Sequence, residues 1–218
     1  MPVYNEQAYI AQSLNSILGM KDFKKPMEII VIDDASTDMT PSILSSMAKN
    51  NKNIKVIRNE ERLGAAICRN TGNKLVQTDV TIVCDADISE EFRLRWVLKT
   101  FEEKDIDLFY SGYYVVDSKD VTRRQYIPIY GWDFKSKCTL SHPTLAYKTA
   151  AILEHPYHEV SKETDLFEFM ILDMHKAGKK IDGVHVPLVT KIEGNRRRDR
   201  AESDKLKKEM YAKYEIQI

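Results

Sequence analysis

The chain has 218 residues, 43% of them hydrophobic and 30% charged, an ordinary balance for a globular domain with a sizeable core. Lys and Arg number 33, as do Asp and Glu, so no global charge points to wrapping of nucleic acid, and basic character is local, in Arg196-Arg197-Arg198 and Arg200. No apolar run approaches the roughly 18 residues of a membrane span. No secretory signal opens the chain, and three dispersed cysteines (Cys68, Cys84, Cys138) disfavour a disulfide framework or zinc site, making a reducing cytoplasm the default location.

In chain order, Met1-Pro-Val-Tyr-Asn-Glu6 reads as the exit of a strand, with Asn5 and Glu6 opening a helix that carries Ile10, Leu14, Ile17 and Leu18 and stops near Gly19. A strand over 27–32 closes on Asp33-Asp34, and Thr40 with Pro41 starts a helix whose buried stripe is Ile43, Leu44 and Met47. A third strand over 54–57 leads through Arg58-Asn59-Glu-Glu-Arg-Leu-Gly64 to a helix over 65–76. Next, Thr81-Ile-Val-Cys84 reads as a strand covered on both faces of a parallel sheet, running into Asp85-Ala-Asp87. Alternation along an extended segment would turn both carboxylates toward one cation. The following helix, with Phe92, Leu94, Trp96, Leu98 and Phe101, is expected to cover the sheet.

From about residue 105 the pattern changes to longer, aromatic-rich strands over 108–116 and 124–130, and then to Ser141-His142-Pro143-Thr144. A helix is expected to start at 161–164 and to stop at Gly178, followed by a strand over 181–192 interrupted by Pro187 and a charged terminal helix. Alternating strands and helices predict an α/β fold with a Rossmann-like, mostly parallel central sheet, helices on both faces and a smaller antiparallel extension. We read residues 1–218 as one domain: a nucleotide-binding half over 1–104, an acceptor and catalytic half over 105–200, and a charged helix over 201–218.

Polar clusters end three strands of the first half, at Tyr4-Asn5-Glu6, Asp33-Asp34 and Asp85-Asp87, and ligands of open α/β sheets gather at such strand ends. A flat ring such as Tyr4 suits stacking on a base, Asp34 suits a base N–H or a ribose hydroxyl, and Asp87 suits a divalent ion that neutralises a diphosphate. No glycine-rich phosphate loop occurs, so a metal-bridged diphosphate fits better. The same residues have plainer readings: Tyr4 as a core aromatic, Asp34 as a turn residue, Arg69 as a surface ion-pair partner, and Glu163 with Asp165 as first-turn acids of a helix. His155-Pro-Tyr-His158 carries metal-like residue types but reads as a surface loop.

Four stretches in order carry a resemblance: Pro2-Val-Tyr-Asn-Glu6, Val31-Ile-Asp-Asp34-Ala-Ser-Thr-Asp38, Asn59-Glu-Glu-Arg-Leu-Gly64-Ala-Ala-Ile-Cys-Arg69-Asn70-Thr-Gly72, and Asp85-Ala-Asp87. Together they resemble glycosyltransferase family 2, GT-A fold enzymes that move a sugar from a nucleotide diphosphate donor with inversion. A looser match, Lys162-Glu163-Thr-Asp165-Leu-Phe167, resembles the segment bearing the family's catalytic base. The resemblance implies Pro2, Tyr4, Glu6, Asp34, Asn59, Arg69 and Asp85 as contacts to the nucleotide sugar, and Asp87 as the metal ligand, with Glu193 as a further candidate. Glu163 aligns with the base, where the family usually has Asp, and Asp165 competes for the role; His142 and Trp132 would shape the acceptor site.

The expected activity is hexosyl or N-acetylhexosaminyl transfer, with Mn²⁺ or Mg²⁺ as cofactor, from a donor expected to be a UDP-sugar to a saccharide or lipid-linked saccharide. A peripheral membrane contact would fall to Arg196–Arg200. The alternatives are a non-catalytic nucleotide-sugar binder and a metal-dependent nucleotidyltransferase, the latter normally showing a glycine-rich loop. Relatives often carry apolar residues ahead of the Met-Pro-Val-Tyr-Asn-Glu stretch, so a short apolar strand upstream of Met1 is also expected.

Overall fold

A computed structural model describes residues 1–20, 27–117, 123–126, 140–193 and 200–213. Strand β1 (Pro2–Val3) leads to helix α1 (Ile10–Leu18), β2 (Ile29–Asp33), α2 (Thr40–Asn50), β3 (Ile54–Arg58), α3 (Ala65–Leu75), β4 (Val80–Ile82), β5 (Ile88–Ser89) and α4 (Arg93–Glu103). The second half adds β6 (Leu108–Asp117), β7 (Arg123–Tyr126), a 3₁₀ turn (His142–Thr144), β8 (Ala146–Lys148), α5 (Thr149–Glu154), α6 (Phe167–Lys176), β9 (Ile181–Glu193) and α7 (Arg200–Lys213).

The α/β class stands, but the parallel sheet is smaller than the sequence suggests. Strands β1, β2 and β3 pair in parallel in that order, whereas β4 joins a mixed sheet of order β4-β8-β6-β9-β5, with β7 beside β6. Strand β4 is antiparallel to β8 and only half-buried, so its β-branched run does not mark the centre of a parallel sheet. Apolar runs read alike in either setting, which is why the sequence misplaces it.

Strand β2 is the buried centre of the first sheet: Ile29, Val31 and Leu44 pack with α1, while Ile30 and Ile32 pack with Cys68 of α3. The second half packs Leu108, Leu145, Tyr147, Met170 and Met174 around β8 and α6. Leu166, Phe169 and Leu172 meet Met210 of α7.

Two further expectations change, and two hold. Helix α4 buries Leu94 and Val97, while Phe92 and Trp96 face outward, because the stripe follows positions 94, 97 and 101. Helix α6 starts at Phe167, so residues 161–166 form an irregular segment and Glu163 and Asp165 are not first-turn acids. The expected stop at Gly178 is observed: it takes φ +75°, and Lys179 N–H donates to Met174 O at 2.9 Å, a C-cap that favours glycine. Pro187 sits where the β6–β9 register shifts, opposite Gly112, where a missing N–H is tolerated. The part of the 124–130 strand beyond Tyr126, Trp132 and the 196–198 arginines lie outside the described residues.

Candidate active site

The exits of β1 and β2 are stitched together. Asn5, in the left-handed region at φ 53°, accepts from Thr37 N–H at 2.8 Å and donates its own N–H to Ser36 Oγ at 3.0 Å. Glu6 N–H reaches Thr40 Oγ1 at 2.9 Å. Asp34, 3% exposed, turns its carboxylate onto the β3–α3 loop, where Oδ1 accepts from Asn59 Nδ2 at 2.9 Å and Leu63 N–H at 2.8 Å, and Oδ2 from Gly64 N–H at 2.8 Å. Burial pushes this carboxyl up, and the combined N–H donors outweigh it, holding the group below its ordinary range. Asp34 thus orders the 59–64 loop.

Gly64 carries φ +96°, and a Cβ there would lie 2.6 Å from Cα of Lys162. Glycine lets the loop rest directly on the segment that bears Glu163. This close approach brings Arg62 to Glu163, with Nη1 donating to Oε1 at 2.6 Å and Nη2 to Oε2 at 2.9 Å. The same guanidinium lies over the ring of Tyr4, its Cζ 4.4 Å from the ring centre.

At the centre is Arg69 of α3. Its buried guanidinium donates to Asp85 at 2.7 Å and, more closely, to Asp165. Burial disfavours the cation, but Asp165 and Asp85 together hold it protonated above the ordinary arginine value. Burial likewise pushes Asp85 up, and the charge of Arg69, with His142 close by, brings it well below the usual carboxylate range. His142 Nδ1 lies 3.6 Å from Asp85 and 4.0 Å from Asp165, and its Nε2 is 2.9 Å from the Tyr157 hydroxyl. Burial pushes the Tyr157 hydroxyl well above its ordinary value. Asn70 grips the backbone of Tyr157, donating to its carbonyl at 2.9 Å and accepting from its N–H at 3.0 Å.

Asp85 and Asp87 part company. The chain leaves β4 at Ile82 and bends at Ala86 and Asp87, which breaks the alternation that would aim both carboxylates one way. Asp87 is 5% exposed, and its Oδ1 accepts from Ile192 N–H at 3.4 Å. Two serines of α1 and one arginine of α4 hold this bend. Ser13 Oγ donates to Asp85 O at 3.1 Å, Ser89 N–H donates to Ser16 Oγ at 3.0 Å, and the buried Arg93 donates to Val83 O at 2.7 Å, Pro143 O at 2.6 Å and Ser89 Oγ at 3.1 Å.

Among the described residues no three His, Cys, Asp or Glu side chains gather into a metal cage. A hard carboxylate such as Asp87 still fits Mg²⁺ or Mn²⁺, which bind through one or two carboxylates and complete their shell with water and substrate phosphates. Strand β9 brings the backbone of Glu193 next to Ile192 and so near Asp87; the Glu193 side chain lies outside the described residues. His158 pairs with Asp173 at 2.6 Å, as a structural contact between loop and helix.

Of the sequence candidates, the fold therefore joins Arg69, Asp85, Asp165 and His142 in one network, and Asp34 with Asn59 in a second. Tyr4 and Glu163 are linked through Arg62, Pro2 is paired within β1 opposite Ile32, and Glu6 opens the turn into α1, its carbonyl accepting from Ile10 N–H at 2.9 Å. Sequence reasoning passed over Arg62, Asn70, Tyr157 and Arg93. Arg62 and Asn70 stand inside a quoted motif, whereas Arg93, between Phe92 and Leu94, reads as a surface residue.

The sequence pattern of glycosyl transferase family 2 matches residues 1–159. The chain belongs to that family. It is 30% identical to the glycosyltransferase GlyG of Streptococcus pneumoniae over 135 residues, 62% of this chain and 44% of GlyG. It is 28% identical to an uncharacterized glycosyltransferase of Methanocaldococcus jannaschii over 183 residues, 78% of this chain and 62% of that protein. The chain thus spans less than two thirds of either relative. S. aureus TarS 1-349 in complex with UDP-GlcNAc superposes with a TM-score of 0.70 at 21% identity, over 90% of this chain and 58% of that one. The mannosyltransferase PcManGT from Pyrobaculum calidifontis, in complex with GDP-Man and Mn²⁺, gives 0.66 at 17% identity over 89% and 56%. These likenesses establish the GT-A family 2 fold.

Proposed function

We propose that the chain transfers a sugar from a nucleoside diphosphate donor to a hydroxyl of a saccharide or similar acceptor, with inversion at the anomeric carbon. The observation that carries this reading is Arg69, a buried cation binding Asp85 and Asp165 from two distant segments at the edge where the β1 and β2 exits also converge. Donor complexes of the superposable TarS and PcManGT support a nucleotide sugar as ligand, and TarS favours a UDP-sugar. Residues 1–104 would hold the donor, and 105–200 the acceptor.

In the reaction, the acceptor oxygen attacks the anomeric carbon opposite the leaving group. Its proton passes to a carboxylate, the new C–O bond forms, and the bond to the diphosphate breaks, with the electron pair leaving on the phosphate oxygen. Glu163 suits the base: its side chain is 45% exposed and paired with Arg62 at the site's rim, whereas Asp165 is committed to Arg69. A carboxylate locked to a buried guanidinium is a poor proton acceptor. Asp87, with diphosphate oxygens, would hold Mn²⁺ or Mg²⁺, which when bound neutralises charge on the departing nucleoside diphosphate.

The test is turnover of UDP-GlcNAc and GDP-mannose with Mn²⁺, followed by release of nucleoside diphosphate. Glu163→Gln should lower turnover by at least ~10²-fold while keeping donor affinity within about threefold. A variant with near-wild-type turnover overturns the base assignment, and a wild-type chain that binds donor without ever releasing nucleoside diphosphate is the non-catalytic binder.

A further inference from the structure

We propose that Arg62 is a donor-responsive latch, resting on Tyr4 and Glu163 in the donor-free protein and displaced from both when a nucleobase stacks on Tyr4. The inference rests on the nucleotide-sugar reading above and adds an assignment to it. One guanidinium makes two contacts that the reaction needs vacated. Its flat cation covers the Tyr4 ring at 4.4 Å, the surface a nucleobase would use, and its fork occupies both oxygens of Glu163, at 2.6 and 2.9 Å. A carboxylate so paired cannot take the acceptor's proton until the cation leaves.

The geometry suits a latch, because each hold is weak enough to be exchanged. The Arg62 and Glu163 side chains are 34% and 45% exposed, so their attraction is screened by water. A cation lying on a partly exposed ring is worth about as much as the base stacking that would replace it. The two partners also come from distant parts of the chain, Tyr4 from the β1 exit and Glu163 from the segment before α6. Gly64, which allows no Cβ against Lys162, fixes the loop that holds Arg62 between them. Binding of the donor base is thereby coupled to release of the catalytic carboxylate, and the empty enzyme keeps its base masked.

Uridine and guanosine, which carry the base without the diphosphate, isolate the latch from phosphate binding. Affinities by titration calorimetry should show Arg62→Ala binding whichever nucleoside the wild type binds roughly fivefold more tightly, because nothing competes for the ring. Arg62→Lys, lacking the planar fork, should fall between. Glu163→Gln, which loosens only one of the two holds on Arg62, should tighten nucleoside binding by no more than about threefold, and combining it with Arg62→Ala should add nothing beyond the Arg62→Ala gain. In a Tyr4→Ala background the gain should vanish. Unchanged or weaker nucleoside binding by Arg62→Ala overturns the latch while leaving the donor site intact. If no variant binds any nucleoside, nucleotide or nucleotide sugar, the latch falls together with the donor-site reading.

Discussion

Arg69 shows how much one side chain is asked to do. Its guanidinium carries a fixed positive charge between Asp85 and Asp165, and both carboxylates lose water to reach it. Lysine in its place offers a point charge without a fork, so one carboxylate would be left buried without a partner. Arg69→Lys should destabilise the fold by about 3 kcal/mol and lower transfer by at least ~10²-fold, read by chemical denaturation and donor turnover. A variant of wild-type stability would mean the two carboxylates do not depend on the guanidinium. Of these residues, Arg69 and Asp85 were legible in the sequence because they stand in ordered motifs. The partners that orient them were not: Tyr157 is placed by Asn70 from 87 positions away, and Arg93 is buried by carbonyls of Val83 and Pro143 that no local pattern reveals.

Among the elements, local patterns located β2, β3, α2 and α3 to within two residues because each has its own apolar period and end signal. They failed where pairing decides, in β4, β8 and the irregular segment before α6. Strand β1 is the shortest of the first sheet, and beside it lies a cleft of about 1240 Å³ lined by Met1, Ile29, Ile30, Val80, Ile82 and Leu94 among others. Among the described residues β4 pairs with β8 alone. The Met1 amine is buried in this region, donating to Ile30 O at 2.8 Å, and burial lowers its proton affinity. An apolar strand of about five residues joined ahead of Met1 would lie between β2 and β4 and replace that amine with a neutral peptide group, at the usual reach of a strand. Such an extension should raise the melting temperature by about 5 °C, equivalent to about 2 kcal/mol at this chain length. A Gly-Ser extension of equal length is the control, and equal melting of the two would contradict the strand.

Across the whole molecule, the carboxylates that order the site also set its acid limit. Asp85 and Asp34 both titrate below their ordinary value near 3.8 in the folded chain. A depressed carboxyl contributes stability that is present above the unfolded value and lost as pH falls toward the folded one. Denaturant unfolding should therefore show no loss from these groups between pH 7 and about 5, then a decline below about 4 that is shallower in Asp34→Asn. Constant stability down to about pH 3 would contradict the assignment of these shifts.

The central claim is that the strand-end edge gathered by Arg69 binds a nucleotide sugar and that Glu163 turns it over. It is tested most directly by measuring nucleoside diphosphate release from UDP-GlcNAc and GDP-mannose with Mn²⁺, in the wild type and in Glu163→Gln, alongside donor affinity. Release is expected from the wild type, with at least ~10²-fold less from Glu163→Gln and donor binding retained in both. Equal release by the two proteins, or donor binding with no release by either, would contradict it.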